Sequence, residues 1–184
     1  MQAASISQGQ IAFGIALAAH FCQATAQPPV KAPTSTPSAA QTVDSLTSRG
    51  LGVVRLGMSE AQVRQAFGRP LKVQSSGPEN CLTLASPTDD ITFTLKSNRL
   101  RLIDIEGVGP STRSGLAVGM PLARAKQMFG TELEIGINFY DDATTEAMLW
   151  EADHRHGVRF TARDGLITGI AAGDEALQWV EGCF

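Results

Sequence analysis

Positive charge is scarce in this sequence, because 15 Lys and Arg residues are outnumbered by 18 Asp and Glu residues, for a formal net charge of −3. Nucleic acids and anionic bilayers are bound through clustered basic residues, so neither is an expected partner. Two common active-site motifs are also missing, the Gly-x-Ser-x-Gly elbow and the Gly-rich phosphate loop with its lysine. The sequence therefore predicts no catalytic residue and no cofactor.

The first 26 residues contain no Asp, Glu, Lys or Arg. Within them, residues 11–21 form an apolar run with the length of a signal-peptide core, which is too short to cross a bilayer. Ala24-Thr25-Ala26 supplies the small residues of a cleavage site, so residues 1–26 are predicted to be a signal peptide. We therefore expect an exported protein, periplasmic or secreted, with no transmembrane segment in its mature chain.

Two other interpretations apply to this segment. Cys22 is a candidate for lipidation, but His20 and Phe21 occupy positions where a lipoprotein signal has small residues. A core helix is disfavoured because residues 27–45, which follow, are rich in Pro, Thr and Ser. Such a segment cannot pack a core and behaves as an extended spacer, so residues 27–45 are predicted to be a disordered linker.

Two cysteines remain after the predicted signal peptide, Cys81 and Cys183. In an oxidising compartment they are expected to form one disulfide bond. The bond would close a loop of about 100 residues. Closing such a loop lowers the entropy of the unfolded chain and stabilises the fold by roughly 4 to 5 kcal/mol. The alternative is a pair of separate buried thiols, which persists poorly outside the cytoplasm.

An internal repeat organises the rest of the chain. The segments that begin at Gly50 and Gly115 share a Gly-Met pair, a helical pattern and a Phe-Gly end. The shared residues of the two segments are 62 positions apart. Their second halves match at an offset of 67, so the second copy is longer in its middle. Such self-similarity is typical of a repeated structural unit. The residues matched at the first offset are Gly57, Met58, Gln65, Phe67, Gly68 and Leu71 with Gly119, Met120, Gln127, Phe129, Gly130 and Leu133.

Each copy contains a predicted β-hairpin, over residues 91–103 and 158–170. Both segments are rich in β-branched and aromatic residues. At their centres, Ser97-Asn98 and Asp164-Gly165 tolerate the positive φ that a tight hairpin turn needs.

The predicted domain covers residues 46–184. Repeat one spans about 50–108, repeat two spans about 112–175, and a C-terminal strand continues to 184. Short helices and alternating strands each bury one side only, so they need a common partner surface. The predicted fold class is α+β, with two tandem helix-plus-antiparallel-meander repeats that form one sheet and pack their helices on one face.

The first predicted helix has a complete set of terminal signals. Ser59 is its predicted N-cap, and Gln62 three residues later completes a capping box. Gly68 suits the left-handed position after the last turn, and Pro70 prevents continuation. In the second copy Pro121 stands where the first copy has Ser59, so no capping box is expected there.

The face of the sheet opposite the helices is predicted to be open to partners. Trp150 and Trp179 lie near predicted strands and are candidates for anchoring a partner on this face. Aromatic residues also dominate protein cores, so core or edge packing is the alternative interpretation for both tryptophans.

The first copy carries a recognisable motif, residues 53–59 before the helix and Phe67-Gly68-Arg69-Pro70 after it. This motif resembles the helical entry of the SmpA/OmlA outer-membrane assembly lipoproteins, and the tandem pair resembles the β-lactamase-inhibitor-protein fold. Residues 164–183, with Cys81 upstream, are similar to uncharacterised secreted bacterial proteins that carry the same duplication. The resemblance covers about residues 50–184 and implies an extracytoplasmic binding module that is not an enzyme. The lipobox of the first group and the several disulfides of the second are missing here.

The only histidine pair of the predicted mature chain lies in Asp153-His154-Arg155-His156. On an extended segment His154 and His156 would share one face, with Asp153 or Glu151 as a third ligand. Two histidines alone make a poor zinc site. A polar loop before the last hairpin is therefore the favoured interpretation, and no bound metal is expected.

Three functions are consistent with these features. The first, which we predict, is a binding module that docks a protein or a cell-envelope component through the open face of the sheet. The second is an inhibitor of a secreted hydrolase, with the longer segment between Ile135 and Trp150 as a protruding loop. The third is a small hydrolase, which would have a deep pocket with convergent polar groups.

Overall fold

The structure, a computed structural model, describes residues 45–78, 80–180 and Cys183. The predicted signal peptide, Cys22 and the predicted linker up to residue 44 lie outside these residues. The described chain contains eleven β-strands and two α-helices. Its antiparallel sheets and few helices agree with the predicted α+β class.

Three short strands begin the described chain and form a small antiparallel sheet: β1 (Leu46–Thr47), β2 (Gly50–Leu51) and β3 (Val54–Arg55). Leu46, Leu51 and Val54 bury their side chains in the main core. Gly50 has a φ of +156°, and a Cβ there would overlap the Val54 carbonyl oxygen. A glycine is therefore required where β2 approaches β3.

Helix α1 (Glu60–Phe67) begins and ends as predicted. The Ser59 hydroxyl accepts a hydrogen bond from the Gln62 backbone N–H at 3.4 Å, and the Gln62 side chain accepts one from the Ser59 N–H at 2.9 Å. This is the predicted capping box. Gly68 adopts the left-handed conformation, with a φ of 68°, and donates its N–H to the Arg64 carbonyl.

Helix α2 (Leu122–Phe129) has Pro121 at its N-cap and no side-chain capping bond there, also as predicted. A short 3-10 helix (Gly130–Glu132) follows it directly. Among the described residues, neither α-helix has the length and apolar character that a membrane crossing requires.

Eight strands form the main antiparallel sheet: β4 (Lys72–Gly77), β5 (Cys81–Ala85), β6 (Ile91–Lys96), β7 (Arg99–Ile105), β8 (Leu133–Ile137), β9 (Thr144–Trp150), β10 (Gly157–Arg163) and β11 (Leu166–Gly173). Their spatial order is β4-β5-β6-β7-β11-β10-β9-β8. Each run of four consecutive strands is a meander, and the two meanders join where β7 pairs with β11. Strands β4 and β8 are consequently the two edges of the sheet.

The turns at Ser97-Asn98 and Asp164-Gly165 connect β6 to β7 and β10 to β11. All four residues have positive φ, between 50° and 78°. Both predicted hairpins are confirmed, and both use the turn residues that the sequence indicates.

One side of the sheet forms the main core. Phe93, Ile103, Ala172 and Val158 lie opposite one another across β6, β7, β11 and β10, and all four are buried. Residues on neighbouring strands that lie opposite each other share a side of the sheet. The buried residues of the helices, which include Val63 and Ala125, belong to the same apolar cluster.

The chain after β11 packs on the other side of the sheet. It forms a 3-10 helix (Glu175–Gln178) where the sequence predicts a continuing strand. The fully buried Leu177 lies 3.2 to 3.3 Å from the places where Gly157 and Gly173 would carry a Cβ. These two glycines are opposite each other on β10 and β11, so their missing side chains leave room for the leucine.

We call residues 174–183 the C-terminal segment. It forms a second apolar cluster with the sheet, made of Leu102, Ala171, Ala176 and Leu177. The predicted disulfide bond joins Cys183 to Cys81 on β5, with a Cα–Cα distance of 5.8 Å. The face that the sequence predicts to be open is therefore covered in part, because the segment returns across it.

Candidate functional site

The edge strand β8 carries two exposed apolar side chains. Among the described strands it pairs only with β9, so no described strand adjoins its outer backbone groups. Ile135 and Ile137 lie on the same side of β8 and are 50% and 68% exposed, whereas Leu133 on that side is buried. An exposed edge with apolar side chains is a ready template for pairing with another chain.

The loop after β8 carries two further exposed aromatic side chains. Phe139 is 77% exposed and Tyr140 is 62% exposed. Their rings meet edge to face, with centroids 5.1 Å apart. We call the four side chains of Ile135, Ile137, Phe139 and Tyr140 the apolar edge.

Hydrogen bonds hold the loop that carries Phe139 and Tyr140. The Asn138 side chain donates to Glu146 of β9 at 2.8 Å, across the base of the loop. On the return side, Asp141 accepts from the Thr144 hydroxyl at 2.8 Å and from the Ala143 N–H at 3.0 Å. These bonds lower the pKa of Asp141, most strongly the one from Thr144. The exposed aromatic pair is thus presented by an ordered loop, which reduces the entropy lost on binding.

The region around the apolar edge is acidic. Residues 127–154 contain seven Asp and Glu residues and no Lys or Arg. Three of the seven have arginine partners from other elements, Asp141 with Arg163 and both Glu151 and Asp153 with Arg49. The remaining negative charge favours a partner with basic groups around an apolar patch.

Trp150 and Trp179 lie beside the second apolar cluster, and Trp179 lines the same surface pocket as Phe139 of the apolar edge. Both are partly buried and pack against the cluster that contains Leu177. The Lys96 ammonium and the Arg101 guanidinium lie 5.5 and 5.8 Å from the Trp179 ring centroid. Both tryptophans therefore have packing contacts that hold the C-terminal segment to the sheet.

Polar groups occupy the part of this face that the C-terminal segment leaves uncovered. Arg159 of β10 and Asp104 of β7 approach each other across β11, with Nη2 and Oδ1 3.6 Å apart. Arg159 also donates to the Leu177 carbonyl at 2.7 Å, and its buried Nε has no hydrogen-bond partner among the described residues. Desolvation raises the pKa of Asp104 to about 6, against the opposing effect of Arg159, and Glu106 adds to the rise. The uncovered strip is a charged groove of about 270 Å³ rather than an apolar concavity.

The predicted histidine pair lies in the connection between β9 and β10. This connection is a turn and not an extended segment, because the His154 N–H donates to the Glu151 carbonyl and His154 has a φ of 52°. The ligand atoms that converge belong to Glu151, Asp153 and His156, which all lie within 4.8 Å of one another. His154 does not belong to this group.

An arginine already neutralises the converging carboxylates. Arg49 Nε lies 3.0 and 3.1 Å from the two carboxylate oxygens of Glu151, and the Ser48 hydroxyl donates to the same group. These contacts, that of Arg49 first, lower the pKa of Glu151 to about 2. A cation would have to displace this guanidinium, which also lies 4.0 Å from Asp153. Carboxylate and imidazole donors suit zinc in principle, but here they form an ion-pair network, and we derive no metal site from them.

Sequence reasoning did not find the apolar edge. The alternation of Ile135 and Ile137 with polar or small residues is the same in a half-buried inner strand and in an exposed edge strand. The available signal was the longer middle of the second copy, between Ile135 and Trp150, which suggested a protruding loop only for the inhibitor alternative.

Comparison with protein families gave no matching family model, and no curated protein matches the chain. One solved structure that is similar is that of an extracellular protein containing a SCP domain from Bacillus anthracis str. Ames, with 8% sequence identity and a TM-score of 0.48. The match covers 80% of this chain and 50% of that protein, so this chain corresponds to only half of its length. At this level of similarity the match assigns neither a family nor an activity.

Proposed function

We propose that this protein is an exported binding module that docks another protein through its apolar edge. The observation that carries the proposal is the exposure of four large apolar side chains within six residues of one edge hairpin, those of Ile135, Ile137, Phe139 and Tyr140. Exposed apolar groups of this kind are disfavoured on a surface without a partner. Aromatic side chains at such positions commonly dominate the binding energy of protein interfaces.

The proposed partner is a protein with an apolar patch surrounded by Lys and Arg. The absence of positive residues from 127–154 supports this choice, because opposite charge around an apolar centre guides association and fixes orientation. The free backbone edge of β8 adds a second element of recognition, since a strand of the partner can pair with it. This placement replaces the predicted docking face, which the C-terminal segment covers in part.

Export of the chain is part of this proposal. The Cys81–Cys183 bond supports it, because such bonds persist in oxidising compartments. We also propose that the two meanders are the tandem repeats of the sequence, with α1 and α2 packed on the same face. The shared motifs at offsets of 62 and 67 residues support this assignment. So does the sheet order, in which four consecutive strands follow each helix.

Inhibition of a secreted hydrolase is a second candidate, and one observation favours it. The Phe139–Tyr140 pair stands at the tip of an ordered loop, a shape that can enter a cleft. The target would be a hydrolase with a basic, apolar-lined active-site cleft. A loss of hydrolase activity that depends on Phe139 and Tyr140 would support this narrower function.

The proposal can be tested with matched surface variants. Phe139→Ser/Tyr140→Ser removes the aromatic tip, and Val108→Ser changes a side chain that is 94% exposed elsewhere. Proteins captured from envelope extract are quantified for the wild type and for both variants. A specific partner should be lost with the double variant and kept with Val108→Ser, and the purified pair should weaken by at least roughly 30-fold in Kd. Equal recovery with both variants would contradict the proposal.

Salt dependence and backbone pairing provide further checks. Raising the ionic strength should weaken the purified complex, because the attraction between the acidic hairpin and a basic partner is screened. Ile137→Pro removes a backbone N–H at the edge of β8, and Ile137→Ser removes the side chain alone. A larger loss with proline than with serine is expected if a strand of the partner pairs with β8.

A further inference from the structure

A cavity of about 410 Å³ lies away from the apolar edge, between β1, the loop after β7, the end of α2 and the end of β9. Its floor is apolar, with Leu46 and Val158 buried and with Phe129 and Leu149 partly exposed. This volume falls within the range of pockets that bind small organic molecules, roughly 300 to 1,000 Å³. The cavity is therefore large enough for a ligand with an apolar body.

Among the described residues, the rim of the cavity has one positive charge without an ion-pair partner. Two charged residues line it, Arg113 and Glu151. Arg49 and Ser48 already bind the Glu151 carboxylate, so its charge is neutralised. Among the described residues, no carboxylate forms an ion pair with Arg113, which lies on the exposed loop. An apolar floor beside a single free guanidinium fits a ligand with an apolar body and one negative group.

The matching helix end in the first half of the chain packs more tightly. Phe67 matches Phe129 at the 62-residue offset, and its ring packs on Phe93 with centroids 5.0 Å apart. The Arg69 guanidinium also contacts the Phe67 ring, 4.2 Å from its centroid. The space beside Phe67 is only about 20 Å³. The two matching helix ends therefore pack differently, and the larger cavity adjoins the second of them.

We propose that this cavity binds an amphipathic monocarboxylate, such as a medium-chain alkyl acid. The alkyl chain lies on Leu46, Phe129, Leu149 and Val158, where its burial supplies the binding energy. The carboxylate pairs with Arg113, whose planar guanidinium binds both oxygens of such a group. This ligand site is separate from the proposed protein-docking edge, and either can exist without the other.

Calorimetric titration with decanoate and with decylammonium, both below their micellar concentrations, tests this site. The two probes share an alkyl chain and differ in the sign of their charge. The wild type is expected to bind one decanoate per chain, and to bind decylammonium at least roughly 10-fold more weakly, as expected for loss of a charge-assisted bond. Arg113→Glu should reverse this preference. Arg124→Glu, on the exposed side of α2, makes the same change of charge away from the cavity and should keep it.

The charge reversal separates this site from simple hydrophobic adsorption. Circular dichroism of each variant establishes that it is folded before titration. Equal binding of both probes by the wild type would overturn the proposal, as would the absence of saturable binding. An unchanged preference for decanoate in Arg113→Glu would also overturn it. These outcomes leave the docking proposal untouched, because they do not involve the apolar edge.

Discussion

Opening the Cys81–Cys183 bond should destabilise this protein strongly. The bond joins residues that are 102 positions apart. A cross-link over a loop of this length lowers the entropy of the unfolded chain by an amount worth about 4.7 kcal/mol at 25 °C. In the folded state the C-terminal segment keeps other contacts, those of Leu177 and the Arg159 bond to its carbonyl. The segment can therefore stay in place without the bond, and we expect a loss of about 3 to 5 kcal/mol in unfolding free energy.

Urea unfolding of the oxidised wild type, the reduced wild type and Cys81→Ser/Cys183→Ser measures this loss. Both cysteines are buried, at 2% and 4% exposure, so serine adds a cost of its own, and the reduced wild type is the control without substitution. Far-UV circular dichroism follows the sheet, while fluorescence follows Trp179 beside the C-terminal segment. Reduced and oxidised proteins that differ by less than about 1 kcal/mol would refute the reasoning that this bond constrains the unfolded chain.

Three further predictions concern stability. Leu177→Ala should lower the unfolding free energy by about 2 to 5 kcal/mol in urea, and Leu166→Ala, at 47% exposure, by less than about 1 kcal/mol. The pKa of Asp104 rises from 3.8 to about 6 on folding, so the folded protein holds the carboxyl proton more tightly than the unfolded chain does. Protonation of Asp104 therefore contributes stability that is fully present below pH 3.8 and is lost as the pH rises through 6. Asp104→Asn should abolish this decline in urea titrations at several pH values, with Asp142→Asn as the charge-matched control, and an unchanged decline would contradict the assignment. Ser59→Ala should cost about 1 kcal/mol in the same assay, and no loss would mean that the capping box is dispensable.

Features that depend on neighbours in the sequence were predictable. The capping box of Ser59 and Gln62 and the two hairpin turns need only residues a few positions apart, and the structure contains them where the sequence predicts them. The path of the C-terminal segment was not predictable in this way. It depends on Leu177 meeting Gly157 and Gly173, which come together only once β10 and β11 have paired. For this reason the predicted open face is open only in part.

The candidate site was predictable only in part. Composition indicates an acidic stretch around the longer middle of the second copy, and the structure places an exposed loop there. The exposure of Ile135 and Ile137 depends on β8 being the last strand of the sheet, which is a property of the topology. Likewise, Trp150 and Trp179 carry no sequence signal that distinguishes a packing role from a binding role.

The distance between the two bonded cysteines also affects biogenesis. At synthesis rates of roughly 5 to 20 residues per second, Cys183 follows Cys81 after about 5 to 20 s. During that interval Cys81 has no Cys183 to pair with, while the first meander can already form. In this sequence the only other cysteine is Cys22, within the predicted signal peptide, so the predicted cleavage would leave Cys81 a single intramolecular partner. In that mature chain only one intramolecular pairing exists, so there would be no wrong intramolecular bond to correct.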